Sequence, residues 1–434
     1  MPHLDWKNLP LDATAVAAAS AAGFDYRLVD TSDEEAYGAA MAAIRRGFLD
    51  DEGTAEQLQA GLDDIRFRRF TGVYDSGSPT PATPIATVAS WVAELTVPGR
   101  ATLPMWAISD VTVAATHRRR GLARILLEGE LRTAADAGLP LAGLTVSEAT
   151  IYSRFGFAPA AFATTAEITT SRTAWIGPRP AGRLDYLDRQ ALAREFAELH
   201  ARVRLDRVGT IDAWPGLWER LAGATPGQEK ATAIRGVRWT DAAGTTRGIV
   251  SYRIVENHDD FSRNTLEVQH LMAETPDAAA ALWRFLLEHD LVSVVRASLL
   301  SVDEPLRWMV ADPRGIRETR VDHEWLRILD VPRVLTARRH SGPGSTVMSV
   351  TDPLGYAEGT WRLTVDDDGA ATVDRVEAAA DLTLPVTELA AILLGGVRPS
   401  TLRAAGRIEG DEDAALALDR MFASDRVPHL GFWY

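Results

Sequence analysis

The sequence predicts an α/β (α+β) protein in three parts, and three observations carry that prediction. A strand–helix–strand pattern occurs twice, once before residue 173 and again between residues 248 and 300. A Gly- and Pro-rich segment, Gly177-Pro-Arg-Pro-Ala-Gly182, separates the two. A third stretch carries short strands and helices of its own. At 434 residues the chain is too long for one ordinary domain, and the expected domains are 1–176, 177–325 and 326–434.

In the first part, residues 67–74 and 85–97 read as strands around a turn-rich hairpin at 75–81, and 108–113 as another strand. A helix follows with Leu122, Ile125, Leu126 and Ala134 at apolar spacing, stopped by Gly138 and Pro140. Residues 141–146 form a short buried strand. Residues 149–155 make a brief helical turn ended by Gly156, and 162–170 return as a strand. In the second part, 248–255 and 264–272 read as paired strands. The helix 276–289 carries Leu282, Phe285 and Leu286 on one face, and 291–300 is the strand after it. The third part has strands at 345–351, 359–365 and 381–384, a hairpin turn at Asp366-Asp-Asp-Gly369, and helices at 386–394 and 411–422.

Composition narrows the function. The chain is 46% hydrophobic and 24% charged, as soluble globular proteins are. Its formal net charge of −14 argues against general nucleic-acid binding and sits better with a cationic partner. There is no cysteine, so disulfides, thiolate metal sites and a cysteine nucleophile are excluded. No apolar run approaches the roughly 18 to 20 residues that span a bilayer. The Ala-rich 13–22 follows Asp12 without a basic leader and reads as an exposed or edge helix, not a signal peptide. The expected location is cytoplasmic.

The junction Arg118-Arg-Arg-Gly-Leu-Ala123 puts three arginines and a glycine at the mouth of an apolar helix. A helix N-terminus offers free backbone N–H groups and the positive end of the macrodipole. Gly121 lets an oxygen approach closely, Ala123 is small, and the arginines can hold peripheral phosphates. Neither a Walker loop nor the three-glycine dinucleotide fingerprint is present. A solvated basic turn and a cofactor-phosphate site both fit these residues. A nucleic-acid patch fits less well, because one short cluster makes few phosphate contacts. The corresponding helix start in the second part, Ala273-Glu-Thr-Pro-Asp277, is acidic and would repel a pyrophosphate.

Val111-Thr-Val113 followed by Arg118-Arg-Arg-Gly-Leu-Ala123 resembles motif A of the GCN5-related N-acetyltransferases. Leu95-Thr-Val-Pro-Gly99, Ser147-Glu148, Ile151-Tyr-Ser-Arg-Phe-Gly-Phe157 and the aromatic C-terminus extend the resemblance to the Eis-like (enhanced intracellular survival) branch. The likeness runs over essentially the whole chain. It implies two tandem GCN5-related acetyltransferase folds, the second degenerate, plus a C-terminal sterol-carrier-like α/β domain. It also implies acetyl transfer from acetyl-CoA, as co-substrate, to amines of a cationic, aminoglycoside-like molecule in a ternary complex. Homo-oligomers, hexamers in the branch, are implied as well.

By the same resemblance, Val111, Thr112 and Val113 line the pantetheine arm. Arg119, Arg120, Gly121, Leu122, Ala123 and Arg124 bind the pyrophosphate, with Ser147 and Glu148 beside them. Tyr152 is the general acid, and a phenol with an ordinary pKa near 10 suits a departing thiolate. The base is the C-terminal carboxylate, here that of Tyr434 in place of the phenylalanine expected there. Asp50 aligns with an acidic substrate contact, although the run Asp50-Asp-Glu52 also reads as a solvated helix end. Asp110 stands where the branch carries an aromatic residue, and two readings are open: a second acidic group for a cationic amine, even the base, or a side chain turned to solvent. No metal is expected, since the nine histidines show no ligand spacing. The alternative is a carrier or sensor that binds acetyl-CoA or lipid without turnover, the apolar run 390–394 being a candidate lipid-pocket lining.

Overall fold

The structure, a computed structural model, describes residues 4–434. It divides into two compact units. One gathers the residues up to Ala161, Glu324–Asp425 and Tyr434; the other holds Phe162–His323 and Arg426–Trp433. The divisions fall inside strands, near 161 and 323, and the linker 177–182 lies within the second unit.

In the first unit Asp12 caps α1 (Ala13–Ala21) by accepting the Ala15 N–H. Ala15 and Ala19 are buried against a later helix, so the Ala-rich segment is an edge helix. β1 (Asp25–Leu28), α2 (Glu34–Gly47) and α3 (Ala55–Ile65) follow. The buried face of α2 is only Tyr37, Ala40, Ala43 and Ile44, a stripe too weak in apolar bulk to announce itself in sequence. β2 (Arg69–Tyr74), β3 (Ala86–Val97) and β4 (Ala101–Val113) make an antiparallel meander. The strand expected from residue 108 thus begins earlier. Gly99 and Arg100, at φ +95° and +62°, turn the chain so that Val97 pairs with Ala101, and Pro104 sits within the strand opposite Glu94.

α4 (Leu122–Asp136) crosses back, and β5 (Leu141–Thr145) returns parallel to β4. A buried carboxylate fixes that helix: Glu130 accepts from Arg69 at 3.0 Å, Ser90 at 2.6 Å and the Trp106 indole at 2.9 Å. One group on α4 therefore ties it to three strands, and full pairing is what makes the buried charge tolerable. α5 (Ala149–Tyr152) and β6 (Ala158–Thr169) come next.

The second unit adds β7 (Gly182–Leu187), α6 (Arg189–Val203), α7 (Leu217–Ala222), β8 (Arg235–Asp241), β9 (Thr246–Val255), β10 (Asn264–Ala273), α8 (Pro276–Leu287), β11 (Val292–Leu300) and β12 (Ile316–Ile328). Its sheet runs β6-β11-β10-β9-β8-β7, with β10 and β11 parallel and the other neighbours antiparallel. The last residues of β12, Glu324 to Ile328, belong to the first unit and pair antiparallel with β5. The first unit's sheet is therefore β1-β2-β3-β4-β5-β12.

The remainder of the first unit is α9 (Val331–Ala337), β13 (Gly344–Thr351), β14 (Gly359–Val365), β15 (Ala371–Arg375), β16 (Leu382–Pro385), α10 (Val386–Ile392), α11 (Pro399–Ala404), β17 (Glu409–Gly410) and α12 (Glu412–Phe422). Its own sheet has the order β15-β14-β13-β16-β17. Ala390, Ile392, Leu393 and Leu394 are fully buried, and core packing accounts for this run. Among the described residues no helix is long and apolar enough to cross a membrane.

Candidate active site

β4 and β5 pair from Met105–Leu141 to Ile108–Leu144 and then part. Beyond Ile108, β4 stays with β3 through a register slip between Thr87 and Ala89, where Asp110 takes φ +53°. β5 stays with β12 as far as Thr145, opposite Glu324. Parting two parallel neighbours leaves backbone groups along the inner edge without a strand to bond. Val111 and Val113 are half-buried there, while the Thr112 hydroxyl lies 2.7 Å from that of Thr87.

The chain then turns into α4 through Arg119 and Gly121, at φ +63° and +81°. Among the described residues no N-cap side chain takes the first-turn N–H groups of Leu122, Ala123 and Arg124. A Cβ at Gly121 would meet nothing within 4 Å. Leu122 is buried and anchors the turn, and Arg118, Arg119, Arg120 and Arg124 are exposed. Arg120 lies 5.8 Å above the Phe24 ring, and Arg124 pairs with Glu128 at 3.6 Å. His117 holds the 75–81 hairpin against the turn by a 3.1 Å contact with Asp75, whose carboxyl it keeps below the usual range. A cavity of about 290 Å³ opens beside the turn, with Arg46, Thr80, His117 and Arg118 in its wall. Uncapped N–H groups, left-handed backbone and arginines fit a pyrophosphate.

Tyr434 comes to the far end of β5. The hydroxyl of Thr145, its last residue, donates to the main-chain oxygen of Tyr434 at 2.8 Å. Of the aromatic end, Phe432 and Tyr434 are buried and Trp433 is exposed; Tyr434 is 8% exposed, its ring edge-on to Trp91 at 5.6 Å. Tyr152 stands in α5, one turn beyond Glu148, and packs edge-on against Phe157. Burial, aided by the Glu148 carboxylate, pushes its phenol up to about 12, so it is neutral at physiological pH. Ser147 and Glu148 are exposed at the β5–α5 junction.

The structure closes one of the two open readings of Asp110. Its carboxylate accepts from Arg68 at 2.9 Å and is mostly buried, so it is not turned to solvent. Arg68 in turn lies 4.4 Å above the Trp91 ring. Asp50 is exposed just past α2, its N–H bonded to the Arg45 carbonyl, as a solvated helix end would be.

The sequence reading missed Thr145, Arg68 and Arg327. Arg327 is fully buried; it donates to the Phe155 carbonyl at 2.7 Å and to both Asp352 oxygens at 2.7 Å. It thereby fixes the turn that follows Tyr152, where a Cβ at Gly156 would come within 2.5 Å of its Nε. The available signal was an arginine inside the apolar run Trp325-Leu-Arg-Ile-Leu329.

Comparison with known proteins agrees with this geometry. Residues 26–160 and 209–328 each match a family of acetyltransferase (GNAT) domains, and 331–431 match a sterol carrier protein domain. An uncharacterized N-acetyltransferase of Streptomyces avermitilis is 36% identical over 402 residues, covering 89% of this chain and 94% of its own. N-acetyltransferase Eis of Mycobacterium tuberculosis is 36% identical over 344 residues, covering 76% and 81%. The crystal structure of Eis1 from Mycobacterium abscessus superposes with a TM-score of 0.78 at 27% identity, covering 95% of this chain and all of that one. A GCN5-related N-acetyltransferase from Anabaena variabilis shares the fold, at a TM-score of 0.79 and 19% identity. Such enzymes use acetyl-CoA as co-substrate. The chain is an N-acetyltransferase and belongs to the Eis-like branch of the GCN5-related family.

Proposed function

We propose that this enzyme acetylates amines of a cationic, aminoglycoside-like small molecule, at more than one position, by direct attack in a ternary complex. Acetyl-CoA, when bound, supplies an activated acetyl thioester. The edge of Val111, Thr112 and Val113 orients the pantetheine arm. The turn of Arg119, Arg120 and Gly121, with the first N–H groups of Leu122, Ala123 and Arg124, holds the pyrophosphate, and Ser147 and Glu148 flank it. The Tyr434 carboxylate takes the proton of the attacking amine, directly or through a water, and the Tyr152 hydroxyl gives its proton to the departing sulfur. The net negative charge draws in a cation. Because the Asp110 charge is met by Arg68, substrate attraction falls to the terminal carboxylate and to outer groups such as Asp50.

The observation that carries this reading is the Thr145–Tyr434 hydrogen bond at the point where β4 and β5 part, one short helix from Tyr152. The test is thiol release from acetyl-CoA against aminoglycosides, polyamines and peptides, with Tyr152→Phe and a C-terminally extended protein alongside. Turnover on a cationic amine that collapses in both variants is expected. Acetyl-CoA binding with no turnover on any amine would replace this reading with a carrier or sensor. The reading carries a homo-oligomer, hexameric by resemblance, which light scattering checks.

A further inference from the structure

The last residue of the chain rests on a polar site that its main-chain contacts do not explain. Both carboxyl oxygens of Glu324 and the hydroxyl of Tyr434 are buried without a hydrogen-bond partner among the described residues. They lie near enough for the Glu324 charge to act on the Tyr434 phenol. Glu324 lies directly across from Thr145 in the β12–β5 register, so the two side chains share a face of the sheet. Thr145 holds the Tyr434 main chain. Two residues earlier on that face, Gly143 leaves room for the phenol: a Cβ there would stand 3.1 Å from the Tyr434 hydroxyl. The Trp91 edge closes the side.

We propose that Glu324 is a positioning residue: its carboxyl and the Tyr434 hydroxyl, joined through one buried water, form a unit that keeps the terminal carboxylate on Thr145. Native interiors pair their buried polar groups, with ordered water where side chains do not meet. Burial lifts the Glu324 carboxyl well above the usual range, and the phenol is lifted by burial and by Glu324, so the site favours the neutral form of each. A neutral acid and a phenol each donate and accept, as a shared water requires. A phenylalanine at the chain end would leave the acid with no counterpart, so Tyr434 and Glu324 are matched to each other. The inference rests on the terminal carboxylate acting as the base.

The test uses the 434-residue chain, untagged after Tyr434, in four forms: unchanged, Tyr434→Phe, Glu324→Met and the double variant. Each single change is expected to lower kcat about tenfold through displacement of the carboxylate, with KM for acetyl-CoA within about twofold. The double variant, an apolar pair in a dry site, is expected to recover to within about threefold of the unchanged enzyme. Losses that multiply in the double variant, or a Tyr434→Phe enzyme of full activity, would overturn the proposal. If Glu324→Met does not fold, Glu324→Gln decides: it can still bond a water, so kcat within about threefold is expected and a tenfold loss counts against the pair. Urea midpoints of the same four proteins separate the two readings. Coupling in stability with no turnover on any amine would sink the base assignment and leave the pair standing.

Discussion

The two acetyltransferase folds of this chain share a splayed pair of strands and differ at the helix that follows. In the first, β4 and β5 part after Ile108 and Leu144, and β4 slips in register against β3 just beyond. In the second, β10 and β11 run parallel as far as Val268 and Ala297, and β10 slips against β9 between Val268 and His270. The helix starts are unlike. α4 begins at Gly121, left-handed and uncapped. α8 begins at Thr275, whose hydroxyl takes the Ala278 N–H; Pro276 has no N–H to give, and Asp277 adds a negative charge. The wedge belongs to the fold, whereas an anion site needs vacant donors. The second fold has filled its own.

The largest effect that can break this comparison is at Tyr152. The segment after β11, 301–308, holds no tyrosine, so the second fold offers no substitute. Tyr152→Phe is expected to lower kcat about 100- to 1000-fold, the usual range for a lost general acid, with little change in melting temperature. The phenol is lifted to about 12, and its active form is the protonated one, so its contribution falls only as pH climbs toward that value. An alkaline limb near pH 8 that disappears in Tyr152→Phe would mean the phenol ionises far below its place here.

Next comes the turn itself. A Cβ at Gly121 would meet no protein atom within 4 Å, so Gly121→Val strains the left-handed backbone and intrudes where a phosphate oxygen would approach. An increase of about tenfold in KM for acetyl-CoA is expected. Calorimetry showing unchanged acetyl-CoA affinity would place the pyrophosphate elsewhere.

The sequence made the strand–helix–strand frame legible because the stripe Leu122, Ile125, Leu126 and Ala134 and the Gly-Pro stops are local signals. The left-handed turn into α4 was legible for the same reason: it is six consecutive residues. Long-range groups were not. Thr145 meets Tyr434 across 289 positions, and Arg327 reaches Phe155 across 172. Nor was the Arg68–Asp110 pair legible, its members standing 42 positions apart. β4 looked short because Pro98, Gly99 and Pro104 are turn residues by habit, and only pairing with β3 makes the chain between them a strand.

A cluster of buried histidines also makes the second unit sensitive to acid. His200, His323 and His429 are held neutral by burial, each lowered to about 4, and His270 to about 3. They surround the chain end: His429 contacts the Leu299 carbonyl at 2.7 Å, His323 contacts the Phe432 carbonyl at 3.0 Å, and Phe432 packs on His200 and Trp218. Folded values below the unfolded 6.5 mean that the unfolded state binds more protons between them, so stability is lost as pH falls from about 6.5 toward 4. Hydrogen exchange at pH 5 against pH 7 should show residues 426–433 losing more protection than β2, β3 and β4. Equal loss throughout would rule out this local cause.

The smallest effect tests the helix-start contrast from the other side. Thr275→Ala removes the α8 cap and should cost about 1 kcal/mol in urea unfolding, the ordinary worth of such a cap. It should leave KM for acetyl-CoA where it was, since Pro276 and Asp277 still make that helix start a poor seat for an anion. Opening one donor does not rebuild a phosphate site, because the left-handed glycine, the arginines and the absence of acid must coincide. A Thr275→Ala enzyme that took up a second equivalent of acetyl-CoA would show the cap alone had closed the second fold.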